Sequence, residues 1–117
     1  MSLPSALVRA YRRWRQLDVS FRHLEMGQQR APTYGIENDL DHLHSSLCAE
    51  MDELMTHARW PHRAAAGEAL AVLSHVESEL ETVGAQDEDV EPLRAYIATT
   101  RQLVEELERL PSRWRST

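Results

Sequence analysis

Six histidines and nineteen carboxylates in 117 residues invite a search for metal and acid–base sites. Asp39-x-x-His42 and Asp41-x-x-His44 set a carboxylate and an imidazole three residues apart, and His75-x-x-x-Glu79 sets them four apart. At either spacing the two side chains share a helix face and could give a cation two ligands. A dinuclear carboxylate centre in a helical bundle asks for more: Glu-x-x-His on two helices and a further Glu on each of the other two. No Glu-x-x-His occurs here, and no histidine follows His75. These pairs are therefore expected to be solvent-facing polar side chains, with no metal and no other cofactor. Cys48, the single cysteine, has no candidate partners for nucleophilic catalysis and adjoins the apolar Leu47, so it reads as a small buried hydrophobe. Phosphate-binding glycine loops, nucleophile elbows and zinc spacings are absent from the sequence. The chain is expected to be non-catalytic.

A second chemistry is recognition by arginine and tryptophan, which sit side by side in Arg12-Arg13-Trp14-Arg15, in Arg59-Trp60-Pro61-His62-Arg63 and in Arg113-Trp114-Arg115. Both residue types are enriched where binding energy concentrates. All thirteen basic residues are arginine, so every cation is a planar, permanently charged fork suited to carboxylate or phosphate. The first thirty residues carry six arginines against Asp18 and Glu25, while residues 37–91 carry fourteen acids against Arg59 and Arg63. The formal net charge of -6 disfavours generic binding to nucleic acid or an anionic membrane, because the mean field repels phosphate.

Four apolar-periodic segments must position these residues. Leu3, Leu7, Ala10, Trp14, Leu17, Phe21 and Leu24 alternate spacings of three and four, which predicts one helix from about residue 4 to 28. Pro32 and Gly35 then favour a loop. Ile36, Leu40, Leu43, Leu47, Met51 and Leu54 predict a helix over 36–59, stopped at Trp60-Pro61. Ala66, Ala69, Leu73, Val76, Leu80 and Val83 predict a third over 61–83, with Gly84 as a left-handed cap. Val90, Leu93, Ile97, Thr100, Val104 and Leu107 predict a fourth over 90–110, capped by Asp89 with Pro92 in its first turn. Four such helices with short connections imply an all-α single domain over 1–117, an antiparallel up-down-up-down four-helix bundle with heptad-type seams. In that layout the start of helix 1, the helix 2–3 turn and the end of helix 4 share one pole. The binding candidates are then Arg12, Arg13, Arg15, Arg59, Trp60, Arg63, Arg113, Trp114 and Arg115. Cations at the ends of helices 2 and 4 would complement the helix macrodipole, whereas Arg9 to Arg15 near the start of helix 1 would oppose it.

Two families share motifs with parts of the chain. Glu50-x-x-Glu53 is similar to the first half of the magnesium motif of MazG-type all-α NTP pyrophosphohydrolases, which would make Glu50 and Glu53 metal ligands; Ala71 stands where that family's second motif needs Asp. The stretch Gly67-Glu68-Ala69-Leu70-Ala71-Val72-Leu73, then Leu80-Glu81 and Leu103-Val104-Glu105-Glu106-Leu107, resembles the C-terminal half of a histidine phosphotransfer domain. That resemblance implies a four-helix bundle in which His44 or His62 carries a phosphoryl group. Neither histidine is followed by the Lys-Gly pair of the family's hallmark.

The leading expectation is a small non-catalytic helical protein that binds another macromolecule, through the Arg/Trp pole or by self-association as a dimer. The partner is expected to be a protein, not a membrane. A single cysteine, no secretory-type apolar segment and no apolar run of membrane-spanning length give a cytoplasmic expectation.

Overall fold

The apolar positions picked out by helical spacing form the core. In a computed structural model that describes residues 3–17, 21–57, 65–84 and 87–110, Leu7, Trp14, Ile36, Leu40, Met51, Leu54, Leu73, Val76 and Leu107 are among the buried side chains. The described residues form five helices and no strand: α1 Ser5–Arg15, α2 Arg22–Glu25, α3 Tyr34–His57, α4 Ala65–Thr82 and α5 Asp87–Glu108. α5 packs against both α1 and α4, α4 also against α3, and α2 against α3. The molecule measures 45 × 24 × 21 Å. The 24 residues of α3 span about 36 Å of that length at 1.5 Å per residue. Among the described residues no helix is long and apolar enough to cross a membrane.

The expected first helix over 4–28 is interrupted. α1 ends at Arg15, where the Gln16 N–H bonds to the Arg12 carbonyl and the Leu17 N–H to the Trp14 carbonyl. On either side of the break, Trp14 and Phe21 both lie against the His44 imidazole, with centroids 4.6 and 6.4 Å away. The apolar spacing survives the break because Phe21 and Leu24 still turn toward the core. α2 is one turn long and closes on Gly27, whose φ of 67° supplies the left-handed residue of a Schellman end. Gln28 N–H bonds to the His23 carbonyl and Gly27 N–H to the Leu24 carbonyl.

Two other boundaries moved. α3 starts at Tyr34, two residues before the expected start. α5 starts at Asp87, so Asp89 is inside the helix and does not cap it. Pro92 then lies within α5 and leaves the Glu88 carbonyl without its usual N–H; Glu88 is exposed, so water can take that place. Gly84, φ 60°, is the left-handed residue that the sequence placed after α4. The expected turn at Trp60-Pro61, the start of the third helix at 61–64 and the last residues from 111 onward lie outside the described residues.

Candidate functional site: the arginine face of α1

α1 is an 11-residue helix that turns one side to the core and the other to solvent. Leu7 and Trp14 are fully buried, two turns apart on one face. Arg9, Arg12, Arg13 and Arg15 are exposed. The indole fixes the helix against α5: Trp14 Nε1 donates to Thr100 Oγ1 at 3.0 Å, and Thr100 Oγ1 donates to the Tyr96 carbonyl at 2.7 Å. Trp14 and Thr100 are both completely buried, so this hydrogen bond satisfies an N–H that has no access to water. Arg13 Nη1 also reaches Gln102 Oε1 at 3.2 Å. Ala6 and Arg9 share a groove of about 520 Å³ with Glu105, Glu106 and Arg109. α1 therefore runs opposite to α5, with its start beside the end of α5.

This placement corrects the reading of the arginines. Because α1 stops at Arg15, Arg12, Arg13 and Arg15 occupy its last turn, where cations complement the macrodipole. They do not crowd the start of a long helix. Arg13 lies beside Gln102, about 9 Å along the axis from the end of α5 at Glu108. Arg59, Trp60, Arg63, Arg113, Trp114, Arg115 and His62 lie outside the described residues.

What sets the α1 arginines apart is their clustering, since Arg22, Arg30 and Arg94 also lack an ion pair among the described residues but stand singly. Arg101 pairs with Glu77 on α4, and Arg109 pairs with Glu106 at 2.5 Å. Among the described residues, Arg9, Arg12, Arg13 and Arg15 have no carboxylate within ion-pair distance. The helix instead sets Arg9 against Arg12 and Arg13, and Arg12 against Arg15, at spacings of three and four. Each such like-charge neighbour costs a few tenths of a kcal/mol.

Under this helix lies an aromatic cluster of Tyr11, Trp14, Phe21, His44 and Tyr96. His44, a carrier candidate from the sequence, is half-buried in it. Its Nδ1 lies 2.9 Å from the Tyr96 hydroxyl. Burial lowers the His44 pKa from its ordinary value, Asp41 opposes this, and Arg15 adds to it. With the imidazole neutral, the tautomer decides which of Nδ1 and the hydroxyl donates. Burial also raises the Tyr96 pKa, so the phenol keeps its proton. A shallow cavity of about 380 Å³ beside the ring is lined by Phe21, Leu24, Glu25, Asp41 and His44. Its two carboxylates would repel a phosphoryl group brought to His44. Tyr96 and Thr100 hold this cluster together; the sequence marked Thr100 only as an apolar-face position and did not single out Tyr96.

Two further polar groups have residue types capable of acid–base chemistry. His23 Nδ1 meets Glu37 Oε2 at 2.5 Å and Thr33 Oγ1 at 2.9 Å, and Thr33 Oγ1 donates to Glu37 Oε2 at 3.0 Å. Hydroxyl and carboxylate approach the same ring nitrogen, so no relay runs across the imidazole as it does in a hydrolase triad. The cluster instead ties α2 to the start of α3. Glu50 is buried on α3 and Glu53 is half-exposed one turn on, within 3.8 Å of His57. Cys48 is half-buried and packs on the core. No protein family, curated protein or solved structure matches the chain.

Proposed function

We propose that this chain is a non-catalytic helical protein that binds an anionic macromolecule through the arginine face of α1. The observation that carries this reading is the clustering of four exposed arginines on one short helix, none of them in an ion pair among the described residues. Arg101 and Arg109, by contrast, have carboxylate partners. An incoming carboxylate or phosphate surface would relieve three like-charge contacts and meet forks suited to bidentate hydrogen bonds. The helix beneath is pinned by the buried Trp14–Thr100 bond, which keeps the forks in a fixed frame. The net charge of -6 favours an acidic protein over nucleic acid, since a long polyphosphate would also meet the acidic α3 and α4.

The scaffold belongs to the same proposal: α1, α3, α4 and α5 as an antiparallel four-helix bundle, acting in the cytoplasm. Self-association is the secondary form. Met26 and Met55 are the large hydrophobics most exposed among the described residues, so a second copy would find little apolar ground there. The test is titration of fluorescent poly-L-glutamate and of a single-stranded oligonucleotide at low salt, with light scattering on the same samples. Saturable, salt-sensitive binding of polyglutamate by a monomeric chain supports the reading. Failure to bind either polyanion at low salt removes it.

A further inference from the structure

Asp39 on α3 and His75 and Glu79 on α4 bring one carboxylate oxygen, one ring nitrogen and another carboxylate oxygen within 4.8 Å of one another. His75 and Glu79 are one helical turn apart, and Asp39 reaches them from the neighbouring helix, so the set exists only because α3 and α4 pack together. Two observations set it apart from an ordinary surface cluster. The first is the state of Glu79 Oε1. His75 Nε2 is 2.8 Å away, yet this oxygen accepts no hydrogen bond and is closed to solvent. A carboxylate oxygen that is shut off from water and accepts no hydrogen bond is an acceptor that a cation drawn in beside the imidazole would satisfy. The second is the absence, among the described residues of the two helices, of any arginine or lysine to neutralise the carboxylates. α3 and α4 carry six and four carboxylates and not one lysine or arginine. Arg101, reaching over from α5, is engaged by Glu77.

We infer that Asp39, His75 and Glu79 form a binding site for a divalent transition-metal cation of the zinc type, bridging α3 and α4. At the centre of three atoms no more than 4.8 Å apart, a cation lies within about 2.8 Å of each, against zinc bonds of about 2.0–2.2 Å. Side-chain shifts of less than about 1 Å close that gap, and all three side chains are at least partly exposed and free to make them. Two carboxylates balance the charge of a divalent ion, and the imidazole favours zinc over magnesium or calcium, which prefer oxygen ligands alone. Three protein ligands leave a fourth tetrahedral position for water. The His57–Glu53 pair on α3 has the same i,i+4 spacing, with 3.8 Å between its atoms, and among the described residues no third His, Cys, Asp or Glu ligand joins it. It serves as the internal control.

The experiment is calorimetric titration of the tag-free, chelator-treated chain with zinc, magnesium and calcium in separate runs. One zinc per chain is expected, with magnesium and calcium at least about tenfold weaker. Asp39→Ala, His75→Ala and Glu79→Gln should each weaken zinc by about tenfold or more, while His57→Ala changes nothing. Circular dichroism confirms that each variant keeps its helices. Zinc should also raise the melting temperature of the parent chain but not that of His75→Ala. The inference is overturned by any of three results: no zinc bound, affinity unchanged in His75→Ala, or affinity lost in His57→Ala. Affinity that survives Asp39→Ala overturns it as well, because the bridge between helices is its content.

Discussion

Replacing Thr100 by valine tests how α1 is held. The two side chains have nearly the same shape, so packing at this fully buried position is preserved and only the hydroxyl is lost. Thr100 Oγ1 has two partners. The Tyr96 carbonyl, its acceptor, keeps the backbone bond expected within α5, so that loss is small. Trp14 Nε1 is different: its acceptor disappears, and the indole is 0% exposed. A buried donor left unsatisfied costs about 1–3 kcal/mol. With a urea m-value of about 1.5 kcal/mol/M, a cost of about 2 kcal/mol lowers the unfolding midpoint by about 1.3 M. The assay is urea unfolding followed by far-ultraviolet circular dichroism. Trp14→Phe completes a cycle, because it removes the donor while Thr100 retains the Tyr96 carbonyl. The double variant should then be less destabilised than the sum of the singles, by roughly 1 kcal/mol. A Thr100→Val midpoint within about 0.3 M of the parent, or strictly additive singles, would refute the claim that this bond fixes α1.

Other expectations follow from the same packing. His44 is held below its ordinary pKa by burial, so the unfolded chain binds more protons than the folded one once pH drops below about 6.5. Stability should fall as pH decreases from there toward the folded-state pKa, and His44→Gln should flatten the slope; parallel slopes in parent and variant would contradict this. Glu37→Ala removes the carboxylate shared by His23 and Thr33 and should cost about 2–3 kcal/mol. Amide exchange should speed up first in Arg22–Glu25; unchanged exchange there would detach α2 from the cluster. Gly84→Ala forces a Cβ onto a residue with φ 60° where no neighbouring atom intrudes, so the cost of about 1 kcal/mol is purely backbone. A neutral effect in thermal melts would show that the turn relaxes freely.

Core positions were legible in the sequence where burial follows helical spacing. The apolar residues from Ile36 to Leu54 and from Val90 to Leu107 were placed by period alone and are buried. Gly84 was legible for a similar reason, since a left-handed end asks for glycine. The break after Arg15 was not legible. The spacing of Leu7, Trp14, Phe21 and Leu24 suits both a straight helix and two pieces folded around His44, and only the tertiary contacts choose. With the wrong helix length, the macrodipole argument for Arg12, Arg13 and Arg15 came out reversed. The Asp39–His75–Glu79 set was half legible. Period gave His75 with Glu79, whereas Asp39 joins them only through the register between α3 and α4, which a pattern within one helix does not encode.

The central claim is that the clustered arginines on α1, and not overall charge, attract an anionic partner. Comparing Arg12→Ala/Arg15→Ala with Arg30→Ala/Arg94→Ala tests it most directly, since both double variants lose the same charge from exposed side chains. Anisotropy of labelled poly-L-glutamate gives the affinity of each across a salt series. The account predicts that the α1 variant loses about tenfold or more and shows a shallower salt dependence, while the Arg30/Arg94 variant stays within about twofold of the parent. Equal losses in the two variants would contradict it.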